Sequence, residues 1–197
     1  FFFIIKGDFL FNFFLIIFFF ITSYEWFIMS KKKKYHLLGY LFLLFSFLSA
    51  YFLRNDFDDE SLFYFLSIII ICISTDVGGY TFGNIFKGPK LTKISPKKTY
   101  SGMIGGYFLS IIFTNLFYHY SYLISKDTSD FNIKTIVFVL LVSTVSQTGD
   151  IIISFFKRLS KVKDTGKIIP GHGGVLDRID GMIFAFPFSY IIFSLQV

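Results

Sequence analysis

Residues 61–80 read SLFYFLSIIIICISTDVGGY, and no charged side chain occurs among them before Asp76. A run of about 18 or more apolar residues is long enough to cross a bilayer as a helix. Working outward from this stretch, similar hydrophobic segments recur at 9–29, 35–53, 102–124, 133–156 and 181–197. A soluble domain of 197 residues has no single core able to hide so many such runs. Only 16% of the chain is charged against 54% apolar, and the charges are bunched between the segments. The expected fold is an all-α membrane protein, a polytopic bundle with about six transmembrane helices that form one domain over 1–197. No internal repeat is visible.

The 31 Phe residues read as lipid-facing surface, because Phe partitions into hydrocarbon as well as Leu does. The single Cys72 lies inside an apolar run, so one chain makes no disulfide. The chain begins at Phe1 rather than Met, and it reads as a fragment that lacks its native N-terminus and an earlier hydrophobic segment.

The connections alternate in charge. The first carries Lys31, Lys32, Lys33 and Lys34, and the third Lys87, Lys90, Lys93, Lys97 and Lys98 without an acid. The fifth carries Lys157, Arg158, Lys161, Lys163, Lys167 and Arg178 against three Asp. The second and fourth are acidic or mixed, with Asp56, Asp58, Asp59 and Glu60 in one and Asp127 and Asp130 in the other. Lys- and Arg-rich loops stay cytoplasmic, so loops one, three and five are expected on that side. The net charge of +6 then belongs to a membrane-flanking face, which suits anionic headgroups and nucleotide phosphates rather than nucleic acid.

Carboxylates within spans are costly and usually mark function. Asp76 and Asp150 lie near the ends of the third and fifth segments, and Asp177 and Asp180 stand where the sixth begins. Given the topology, all four gather beneath the cytoplasmic surface. Asp150, Ser154 and either Lys157 or Arg158 fall on one helical face. The stretch 76–83 is rich in glycine and is expected to thin its helix, and Gly88-Pro89, which follows, to break it. A cytoplasmic motif loop over 81–101 should follow, carrying Ser95-Pro96-Lys97-Lys98-Thr99, whose ammonium and hydroxyl groups suit phosphate oxygens. The second motif loop, 157–180, is far more specific. It holds Lys157-Arg158, then Lys163-Asp164-Thr165-Gly166, then Pro170-Gly171-His172-Gly173-Gly174-Val175-Leu176-Asp177-Arg178-Ile179-Asp180. Acids that hold a divalent ion, bases that hold phosphates and glycines that let the backbone approach make this a metal-assisted phosphate site.

The stretch from Ser154 to Asp180 closely resembles the signature of the CDP-diacylglycerol synthases, also called phosphatidate cytidylyltransferases. The Asp-x-x-x-Tyr-x-x-Gly and Ser-Pro-x-Lys-Thr pieces are similar to the family's second block, in the same order. The family often has a basic residue at the place of Asn84 and an acid at that of Ser101. The resemblance implies a Mg²⁺-dependent transfer of CMP from CTP to phosphatidic acid, releasing pyrophosphate, at the cytoplasmic face of a bacterial inner membrane. It implies Asp150 and Asp177 as metal ligands, supported by Asp76, Asp164 and Asp180, with Lys163 in the catalytic set. It implies Ser95, Lys98, Thr99, Ser154, Lys157, Arg158, His172, Gly173, Gly174 and Arg178 as substrate-binding residues. A second, monovalent ion and a homodimer are left open. The rival readings are a polyprenol kinase, which should lack the His-Gly-Gly-x-x-Asp-Arg-x-Asp run, and a secondary transporter, which should place its acids near the midplane.

Overall fold

A computed structural model describes residues 8–56, 60–120, 131–168, 171 and 173–195. The described residues form seven helices: α1 Asp8–Ser30, α2 His36–Asn55, α3 Ser61–Phe86, α4 Tyr100–His119, α5 Ile133–Leu159, α6 Leu176–Ile179 and α7 Met182–Ser194. The first five are long and apolar enough to cross a membrane. The sixth hydrophobic segment forms the shorter α7, of 13 residues with Pro187 inside it. The chain is therefore a polytopic helical bundle, as its hydropathy predicts. Large apolar side chains such as Phe13, Phe20, Leu41, Leu44, Ile104 and Leu141 stay exposed on the long helices, as lipid-facing positions should.

Helix α3 runs on through the glycines of 78–83 to Phe86, past the end at residue 80 expected from sequence, and stops where Gly88-Pro89 was expected to break it. Inside an apolar medium a helix has no water to take up freed backbone groups, so its hydrogen bonds persist. The glycines instead form a smooth face against α4. A Cβ on Gly78 would lie 2.3 Å from the Gly105 carbonyl oxygen, and one on Gly102 would lie 2.6 Å from that of Gly79. Small residues of this kind let two membrane helices approach backbone to backbone. The chain turns only at Lys87 and Gly88, with φ of 53° and 103°. The connection thus spans 87–99 rather than 81–101. Thr99 then caps α4, its hydroxyl accepting the Gly102 N–H at 3.1 Å.

Two apolar clusters hold the bundle. One joins Phe11, Leu53, Phe65, Ile68, Ile71, Cys72, Val142 and Ala185. The other joins Trp26, Met29, Leu43, Phe47, Ile153, Leu176 and Ile183, and so ties α6 of the motif loop to α1, α2, α5 and α7. Some Phe rings are therefore core rather than lipid-facing; those of Phe11 and Phe65 meet edge to face at 5.4 Å. The basic loops meet at one end of the bundle. Lys33 Nζ donates to the Leu159 carbonyl at 3.0 Å, and the Tyr35 and Ser160 hydroxyls lie 2.9 Å apart. Lys98, from loop three, reaches the Gln147 carbonyl on α5 at 3.2 Å.

Candidate active site

At this end, Asp150 on α5 receives three neighbours. Lys98 Nζ pairs with its Oδ2 at 2.5 Å. The Ser154 hydroxyl, one turn on, donates to Oδ1 at 3.3 Å. Asp180, at the junction of α6 and α7, bears on it electrostatically. Asp180 is only 9% exposed, and the Gly181 N–H donates to its Oδ1 at 2.9 Å. Burial pushes the Asp180 carboxyl well above the ordinary carboxylate range, and the charges of Asp150 and Asp76 push the same way, against the opposing pull of Lys157.

Asp177 has the opposite setting. Lys157 Nζ donates to its Oδ1 at 2.8 Å, and the backbone N–H groups of Thr165 and Gly174 donate to Oδ2 at 2.8 and 2.9 Å. Burial alone would raise this carboxyl, but the lysine and the two amides outweigh it and hold it below its ordinary value. Gly173 makes the turn possible. Its φ is +86°, and a Cβ there would lie 2.9 Å from Asp177 Oδ2. Lys157 is 8% exposed; it contacts Asp177 directly and bears electrostatically on Asp180. Of the two basic residues at the end of α5 it is Lys157 that turns inward, while Arg158 stays exposed and reaches the Val162 carbonyl at 3.4 Å.

The structure thus brings Asp76, Asp150, Asp180, Lys98 and Ser154 into one group and Asp177, Lys157, Gly173 and Gly174 into an adjoining one. Lys163 and Asp164 are exposed and line a cavity of about 630 Å³ between α1 and the 162–168 stretch. Ser95 sits in a turn, its carbonyl accepting the Lys98 N–H at 3.0 Å, and Thr99 serves as the cap of α4. Arg178 is exposed. His172 lies outside the described residues.

Sequence reasoning missed Glu25. It lies on α1, is fully buried, and accepts hydrogen bonds from Thr165, Val175 and Leu176 of the motif loop. The signal was available: Glu25 is the single acid between Asp8 and Asp56, inside an apolar run.

Among the described residues, no three Asp, Glu, His or Cys side chains stand close enough to share a metal ion. The donors do fit Mg²⁺, a hard cation that takes one or two carboxylates and completes its shell with phosphate oxygens and water. Asp180, crowded by Asp150 and Asp76 despite the nearby Lys157, is where added positive charge would be relieving.

These features define a multi-span helical membrane protein with a carboxylate–lysine site at one end. The chain belongs to the cytidylyltransferase family, whose profile matches residues 3–196. Relatives include the phosphatidate cytidylyltransferase of Haemophilus influenzae, 43% identical over 68% of this chain and 47% of the relative. That of Staphylococcus aureus strain COL is 39% identical over 68% and 50%, and that of Bacillus subtilis is 35% identical over 73% and 51%. The chain spans about half the length of the curated relatives it matches.

Proposed function

We propose that the protein transfers CMP from CTP to phosphatidic acid, giving CDP-diacylglycerol and pyrophosphate for phospholipid synthesis. One observation carries this reading: the motif-block acids and lysines, Lys98–Asp150 and Lys157–Asp177 with Asp180 beside them, converge at one end of an apolar bundle. A lipid arriving from the bilayer and a nucleotide arriving from water meet at such a place. The names of the relatives support the choice of substrates.

In the reaction, a phosphate oxygen of phosphatidate bonds to the α-phosphorus of CTP, and the bond from that phosphorus to the bridging oxygen breaks, releasing pyrophosphate. Both reactants are anions, so charge neutralisation and alignment dominate. Lys98 and Lys157 hold ammonium groups beside the acids, and arriving phosphate oxygens take them as partners. Lys163, Arg158 and Arg178 extend positive charge along the loop. Phosphatidate is already ionised, so no strong general base is required. Asp150 and Asp177, with Asp180 beside them, would hold Mg²⁺, which when bound neutralises phosphate charge and stabilises the leaving pyrophosphate. The site faces the cytoplasm of a bacterial inner membrane, where CTP is found.

The test is purified full-length protein in lipid with radiolabelled CTP and phosphatidic acid. Labelled CDP-diacylglycerol should form, disappear in EDTA and return with Mg²⁺. Full turnover in EDTA, or phosphorylation of a polyprenol instead, would overturn the assignment.

A further inference from the structure

We infer that Glu25 is a positioning residue that fixes residues 165–166 and 173–177 of the motif loop and, through them, Asp177; this rests on reading that loop as part of the substrate site. Glu25 Oε1 accepts the Val175 N–H at 2.9 Å. Oε2 accepts the Leu176 N–H at 2.7 Å and the Thr165 hydroxyl at 3.2 Å. The same two stretches of chain serve Asp177, which takes the N–H groups of Thr165 and Gly174. Successive amides of one turn therefore go to different carboxyls, Gly174 to Asp177 and Val175 and Leu176 to Glu25. Thr165 gives its N–H to one acid and its hydroxyl to the other. The loop is stitched between an anchor on α1 and the site carboxylate.

The fit is close. A Cβ on Gly166 would lie 2.6 Å from Glu25 Oε1, and one on Gly174 would lie 2.5 Å from Oε2. The loop closes directly on the carboxyl, and a side chain at either glycine would push it off. A buried carboxyl in an apolar helix is costly, and the cost is offset only while these donors stay in place. Glu25 and the motif loop therefore hold each other to one arrangement. Glu25 acts on alignment, not on substrate affinity, because both of its oxygens are already engaged by protein donors.

The experiment uses the full-length protein in lipid with Glu25→Gln, Glu25→Asp, Thr165→Val and Thr165→Ser. Two quantities are read: amide hydrogen exchange across 164–177, and kcat and KM for cytidylyl transfer. In Glu25→Gln an NH₂ group faces a backbone donor. Exchange in 164–177 should speed up at least about tenfold and kcat should fall about 100-fold, while both KM values stay within about threefold. Glu25→Asp should recover part of the loss. Thr165→Val should reproduce a weaker form of it, and Thr165→Ser should not. Unchanged exchange in 164–177 overturns the inference, as does faster exchange with unaltered kcat or a loss carried mainly by KM. If Glu25→Gln does not accumulate, the Thr165→Val and Thr165→Ser pair decides by the same criteria. If the wild-type protein makes no CDP-diacylglycerol, the functional reading fails, and the exchange arm alone then decides whether Glu25 anchors the loop.

Discussion

Two carboxyls three residues apart, Asp177 and Asp180, are driven in opposite directions by their surroundings, and this makes their amide variants diverge. Asp177→Asn leaves the Lys157 ammonium, 2.8 Å away and largely buried, without its counter-charge. Breaking such a pair on one side costs on the order of 3–5 kcal/mol. Because the folded-state value of Asp177 is depressed, its stabilisation is complete above the ordinary 3.8 and is lost as pH falls through the depressed value. Asp180 has the reverse sign. Its raised value means that stability is lost as pH rises from 3.8 through the raised value, so the charged form of this group weighs against the fold. Asp180→Asn should therefore stabilise the protein at pH 7 by about 0.5–2 kcal/mol while abolishing transfer, the usual exchange of stability against function at such sites. Asp177→Asn should abolish transfer and lower stability. Thermal unfolding in detergent at pH 5 and pH 7 checks both. Equal shifts of the same sign would contradict the assigned environments.

At the scale of elements, the α3–α4 pair makes the most extensive contact among the described helices, and its glycines are not equivalent. A Cβ on Gly78 meets the Gly105 backbone at 2.3 Å, whereas one on Gly79 has its nearest neighbour, the Gly102 carbonyl, at 3.8 Å. Gly78→Ala should destabilise by about 1–3 kcal/mol, since two backbones must part. Gly79→Ala should be neutral or gain a little helix propensity. Denaturation midpoints in detergent separate the two. The hydrophobic runs made every long helix legible in the sequence, with ends within a few residues except those of α3, which runs on to Phe86, and α4, which stops at His119 where the run extends to 124. The end of α3 was misread because glycine weakens a helix in water, whereas here it is a packing surface in an apolar medium. The gathering of Asp76, Asp150, Asp177 and Asp180 at one end was legible from their places near the ends of hydrophobic segments. Their sorting into Lys98–Asp150 and Lys157–Asp177 was not, because it depends on how loop three folds over α5. Glu25 was passed over because its partners lie 140 to 151 residues away and share no motif with it.

For the whole molecule, the meeting of loops one, three and five at one end predicts their common exposure. In intact cells, Lys32→Cys and Lys93→Cys should resist an impermeant thiol reagent and Asp56→Cys should react; all three positions are exposed. Cys72 is fully buried and leaves a quiet background. The opposite pattern would invert the topology and move the site to the outer face. The bond between α1 and the 157–180 motif loop also constrains how the protein is made. Glu25 is synthesised 150 residues before Val175, whose N–H it accepts. At roughly 5–20 residues per second, translation leaves that carboxyl without its final donors for roughly 8–30 s. Throughout that interval α1 has to enter or border the bilayer with an unsatisfied acid, sheltered by water, by a proton or by the insertion machinery. A loop made late therefore completes a helix made 150 residues before it, by folding back onto a segment that entered the membrane without it.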